Sequence, residues 1–136
     1  MRALGAGRSA RRALGGGGLG PARRLNEVLG GWPAVRIQPM FGRWGYFVGR
    51  DLFACFPLRP RDHDLWIRLT PADQAQALRA PGVRPHRRFA RRGWIEMDVA
   101  GVADVAGVAD VAGALRWLRR AHAAVRRPAA GEPPGG

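Results

Sequence analysis

Lysine is absent from this 136-residue chain. All 23 basic residues are arginine, set against 10 Asp and Glu, for a formal net charge of +13. Serine occurs once, at Ser9, in a segment rich in Gly and Arg, which excludes a serine nucleophile in a folded site. Cysteine also occurs once, at Cys55. That excludes an internal disulfide and a cysteine-based zinc centre, both of which need further ligands or thiols. No apolar run approaches the ~18 residues of a membrane-spanning helix. Missing lysine, scarce Ile and Asn, and abundant Arg, Ala, Gly and Pro together match a GC-rich coding sequence. Part of the charge is therefore compositional, yet its field attracts polyanions whatever its origin.

The hydrophobic content of 46% is ordinary for a folded protein, and the length suits one domain. Residues 1–24 carry six arginines and no acid, with the run Gly15-Gly16-Gly17-Gly18. Residues 1–20 read as a disordered basic tail, with an early-assigned start codon or an organelle-targeting peptide as alternatives. Residues 127–136, rich in Pro and Gly, read as a second disordered tail, leaving a domain over 21–126. Residues 25–121 hold 15 arginines and 9 acids, a surplus of six.

Within the domain, Leu25, Val28 and Leu29 form an apolar helical stripe between Pro21 and Gly30. Val35, Ile37 and Phe41 fall on alternate positions of a strand. Gly42 and Gly45 bracket Arg43-Trp44 as a turn or bulge, and Tyr46-Phe47-Val48 continues as the next strand. Gly49-Arg50-Asp51 predicts a hairpin turn into Leu52–Phe56. Leu65, Ile67 and Leu69 alternate in another strand. Thr70 caps a helix opened by Pro71 and running to about Ala80, where Pro81-Gly82 stops it. Gly93–Val99 is a further strand. Asp110 caps a final helix with Val111, Ala114, Leu115, Leu118, Ala121 and Val125 on one arc and Arg116, Arg119, Arg120, Arg126 and Arg127 opposite. The identical hexapeptides Gly101–Ala106 and Gly107–Ala112 read as a loop lengthened by replication slippage, with no function assigned. The string predicts α+β: an antiparallel sheet of about four to six strands with helices packed on one face, in two layers.

No catalytic motif emerges, and the chain reads as a non-enzyme without metal or cofactor. Gly42 and Gly45 lack the lysine and the Ser/Thr of a phosphate loop. Cys55, in an apolar strand, reads as a small core residue. Asp62-His63-Asp64 reads as a polar loop, and His122 as packed. The stretch from Arg84 to Trp94 holds Arg84, Arg87, Arg88, Arg91 and Arg92 with His86, Phe89 and Trp94. Its arginines, with Arg116, Arg119 and Arg120 of the last helix, are the candidate polyanion contacts, and Phe89 or Trp94 could stack on bases. The competing reading is a solvated basic loop with Phe89 and Trp94 facing the core.

The stretch Met40-Phe41-Gly42-Arg43-Trp44-Gly45-Tyr46-Phe47-Val48-Gly49 resembles the N-terminal domain of the TfoX/Sxy family, whose hallmark is Met-Phe-Gly-Gly-x-Gly-x-Phe after a short helix. The similarity continues through Leu52-Phe53-Ala54, Leu65–Arg68, Gly82–Pro85 and Leu115–Ala121, covering about residues 22–125. Arg43 replaces the second hallmark glycine, and His86 stands where an aromatic commonly follows the proline. The resemblance implies a stand-alone regulatory or interaction domain of the competence-regulator type, cytoplasmic, working through protein partners of the transcription machinery. It carries no catalytic residue across. In it the hallmark Met40, Phe41, Gly42, Gly45 and Phe47 reads as structural, with Gly42 and Gly45 giving backbone freedom and Phe41 and Phe47 giving core. The alternative function is a small basic nucleic-acid binder using the 84–92 arginines and the arginine face of the last helix, without sequence preference. No membrane partner is expected.

Overall fold

The computed structural model describes residues 20–100 and 108–127. The two tail segments, apart from Gly20 and Arg127, and the first hexapeptide copy lie outside them. Helix α1 (Pro21–Gly30) leads into strands β1 (Val35–Met40), β2 (Arg43–Val48), β3 (Asp51–Pro57) and β4 (Asp64–Arg68). Helix α2 (Pro71–Ala77), the short β5 (Val83–Pro85), a 3₁₀ turn (Ala90–Arg92) and β6 (Trp94–Val99) follow. The two-residue β7 (Val108–Ala109) and helix α3 (Val111–Arg126) close the domain. The sheet runs in the order β1-β2-β3-β4-β6-β5, every neighbour antiparallel. β7 adds to β6 in parallel, outside the expected pattern. This is the α+β, two-layer class the pattern predicts.

Cross-strand register sorts the side chains into two faces, because paired residues share a face. Tyr46, Ala54, Ile67 and Ile95 form one row, all buried, and Leu65, Met97 and Phe56 continue that face. The helices cover it. Leu25 and Leu29 of α1, Ala77 of α2, and Val111, Ala114, Leu118 and Ala121 of α3 complete the same core. The Tyr46 hydroxyl donates to Asn26 Oδ1 of α1 at 2.7 Å, which satisfies the one polar atom of that row. Burial pushes the Tyr46 pKa up, so the phenol stays protonated.

Both predicted caps are in place. The Thr70 hydroxyl accepts from the Asp73 amide at 3.2 Å, with Pro71 in the first turn. The Asp110 carboxylate accepts from the Gly113 amide at 2.8 Å. Helix α2 ends at Ala77 rather than near Ala80, passing into turns before Pro81-Gly82. In α3 the buried arc also takes in Trp117 and His122, while Leu115 and Val125 are only partly buried. His122 is packed between Trp32 and Phe53, and its Nε2 lies 2.8 Å from the Pro33 carbonyl oxygen.

The hallmark segment departs from expectation. The β1–β2 turn is Phe41-Gly42, with φ of +50° and +77°, and Met40 pairs with Arg43. Positive φ at both central residues is what a type I′ hairpin demands. Phe41 therefore leaves the strand and contributes nothing to the core: it is 95% exposed. Phe47 likewise lies outside the core, on the uncovered face, with the Arg36 guanidinium 4.6 Å from its ring centre. Gly45 is not a turn residue but sits buried inside β2. A Cβ there would come within 2.8 Å of Met40 Sδ and of Phe47 Cε1, so a close approach of side chains, not a turn, requires glycine.

Candidate functional site on the uncovered sheet face

The face away from the helices carries Arg43, Cys55, Trp66, Trp94, Glu96 and Arg84, as the register of β2 through β6 places them. The segment between β5 and β6 folds back over part of this face. Gly93, with φ of +94°, makes the reversal, donating to Ala90 and accepting from the Leu69 amide at 2.9 Å. A side chain at 93 would overlap the Leu69 carbonyl oxygen.

Two ion-pair assemblies organise the face. In the first, Arg43 reaches across from β2. Its Nε donates to Cys55 Sγ at 3.2 Å, and its Nη1 to Asp64 Oδ2 at 3.2 Å; Nη2 donates to the Asp64 carbonyl. The guanidinium lies 3.8 Å from the Trp66 ring centre, and the Trp66 indole N–H donates to the same Asp64 carboxylate at 2.9 Å. Asp64 is therefore the first residue of β4 and an ion-pair partner rather than a loop residue. Cys55 is buried as expected, but it does have a basic neighbour, supplied by the adjacent strand. Burial pushes its thiol pKa up, and the Arg43 charge and hydrogen bond only partly oppose that, so the group stays a thiol.

In the second assembly, Glu96 is 1% exposed. It accepts from the Arg87 backbone amide at 2.9 Å and from the Arg87 Nε at 3.2 Å, with Arg84 Nη2 at 3.3 Å. Burial alone would raise its pKa. The hydrogen bonds from the Arg87 side chain and backbone, together with the two arginine charges, outweigh burial and hold the carboxyl at about 2. Arg84 also meets Asp98 at 3.1 Å. Next to this pair, His86 is 3% exposed, and its Nδ1 accepts from the amides of Arg88 and Phe89, both at 3.0 Å. The ring packs edge-on against Trp66 at 4.3 Å and beside Phe89 at 5.1 Å. Burial lowers its pKa, Glu96 opposing, and the imidazole is neutral.

Beside the first assembly lies a cavity of about 380 Å³. Met40, Phe41 and Leu52 line it together with Cys55, Trp66, Phe89 and Trp94, and Arg43 and Arg92 are its charged residues. Phe89 thus does not face the core. It is 43% exposed and lines this cavity, because the segment before Gly93 lies on the uncovered face. The sequence carries one sign that this face is not fully wet. Leu65-Trp66-Ile67 is a continuous apolar run, and a strand wet on one face alternates instead.

The candidate polyanion contacts do not gather. Arg84 and Arg87 are committed to Glu96 and Asp98 on the uncovered face. On the helix layer, with the sheet between, Arg120 pairs with Asp73 at 2.8 Å, Arg116 lies over Trp117 and Arg119 over Trp32. Arg88 and Arg91 are exposed on the turn before Gly93. Arg92 also borders a shallow depression with Arg68, Thr70 and Val125 at the end of α3. Among the described residues no three His, Cys, Asp or Glu side chains cluster as a metal site, and no helix is long and apolar enough to cross a membrane. Comparison with protein-family models, with curated proteins and with solved structures gave no match.

Proposed function

We propose that the chain is a non-enzymatic interaction domain of the TfoX N-terminal type, docking a protein partner of the transcription machinery through the uncovered sheet face. The observation that supports this most is Phe41. A bulky aromatic at φ +50° is strained, and at 95% exposure it returns no burial to the fold. Asn or Gly would make the same turn at lower cost. A residue that is both strained and exposed beside an apolar cavity serves contact with something outside the chain. The family resemblance, carried by this same Met40-Phe41-Gly42 segment, points the same way. In this reading the domain acts in the cytoplasm and needs no metal, cofactor or membrane.

Separation of the arginines onto two sides of the sheet, several already paired, weighs against a nucleic-acid reader. Attraction to DNA is then the salt-sensitive kind that arises from counterion release. The test places a photo-reactive phenylalanine at position 41, and at Arg50 on the neighbouring hairpin tip, in the native host. We expect one dominant protein adduct from position 41, suppressed by added wild-type protein but not by the Phe41→Asn variant. Equal adducts from both tips, or none, would overturn the reading.

A further inference from the structure

We infer that the cavity on the uncovered face is a binding site for a small aromatic carboxylate. Its volume, about 380 Å³, falls in the range of small-ligand sites. Trp66, Phe89 and Trp94 offer ring surfaces to a flat apolar body, and Met40 and Leu52 add further apolar lining. The absence of a side chain at Gly45 is what lets Met40 and Leu52 sit where they do, since a Cβ would meet both. Phe89, a large apolar side chain left 43% exposed on the cavity wall, is unexplained by folding alone.

Charge selects the ligand class. Both charged lining residues are arginines, and among the described residues no carboxylate lines the cavity. Arg43 is already held by Asp64, Cys55 and Trp66, so its charge is balanced. Arg92 has no acidic partner among the described residues, is exposed and lines the cavity, free to take an anion in a charge-assisted pair. One such guanidinium suits a single carboxylate. A nucleotide, with several phosphate charges, would ask for more donors than the cavity supplies. The inference goes beyond the interaction reading and stands apart from it, because the site needs Arg92 and the aromatic wall rather than a docked partner.

The experiment is calorimetric titration of the full chain with 2-naphthoate and its neutral isostere 2-naphthamide. The expected result is one saturable naphthoate site per chain, preferred over the amide by about tenfold. Arg92→Gln should bring naphthoate down to the amide level and leave the amide unchanged. Phe89→Ala, its fold checked by circular dichroism, should weaken both. Arg119→Gln, on the helix layer, should leave both as in the parent, separating the site from general surface charge. No saturable binding of either compound below about 1 mM, equal binding of the two, or a preference that survives Arg92→Gln would overturn the inference. An Arg92→Gln chain that loses the naphthoate preference yet keeps the partner adduct from position 41 keeps this outcome distinct from that of the interaction reading.

Discussion

Beneath the helices the sheet presents Tyr46, Phe56, Leu65, Ile67 and Ile95, fully buried and with one hydroxyl to satisfy. On the reverse it presents Arg43, Trp66, Arg84 and Glu96 under a folded-back segment. The first face is held by burial of apolar surface, which is non-directional and tolerates shape-conserving change. The second is held by paired charges and aromatic contacts whose geometry must be met atom by atom. Stability resides mainly on the covered side, and the strained or exposed aromatics, Phe41 and Phe89, are on the other. One sheet thus sets apolar packing on one side and charge-paired, aromatic contacts on the other.

The sharpest way to break that contrast is in the core. Leu118→Ala, at a fully buried position of α3, should cost roughly 2–5 kcal/mol in denaturant unfolding, from lost transfer energy and the void left behind. Glu96→Gln comes next, at roughly 1–3 kcal/mol, since Arg84 and Arg87 lose the carboxylate that balances them. A value as large as that of Leu118→Ala would show the uncovered face to be as structural as the core.

Acid titration sharpens the same point. Glu96 has a depressed pKa in the fold, so its contribution is fully present above the ordinary carboxyl value of about 4.5 and is lost as pH falls toward about 2. Glu96→Gln should flatten stability in that window. His86 is a base with a lowered pKa, so the unfolded chain binds the proton first. Stability should begin to fall as pH drops below about 6.5, and His86→Asn, which keeps an acceptor for the two amides, should remove that onset. The smallest effects fall on exposed groups. Phe41→Asn should stabilise by about 0.5–1 kcal/mol by relieving the left-handed backbone. Arg119→Ala should stay within about 0.5 kcal/mol. A destabilised Phe41→Asn would mean that Phe41 packs and is not a contact residue.

The covered face was legible because its signals are local. Thr70 before Pro71, Asp110 before the α3 arc, and the alternation of Leu65, Ile67 and Leu69 each declare themselves within a few residues. The site was not, because it is assembled by register. Arg43 meets Cys55 and Asp64 only once three strands are aligned, and Gly45 looks like a turn glycine until Met40 and Phe47 are brought beside it. Phe41 continued an alternating pattern that the Phe41-Gly42 turn in fact terminates. Phe89 read as core because nothing local shows that Gly93 turns its segment over the other face.

The parallel pairing of β7 with β6 has an origin in chain length. Parallel neighbours need a connecting segment long enough to return to the strand's starting end. Eight residues separate Val99 from Val108, and six of them are the first hexapeptide copy. With one copy, two residues would remain, too few to bring Val108 alongside Asp98. The second copy meanwhile supplies the strand, the Asp110 cap and the buried Val111. One repeat unit thus carries the structural duties, and the residue count of its twin sets the length of the connection.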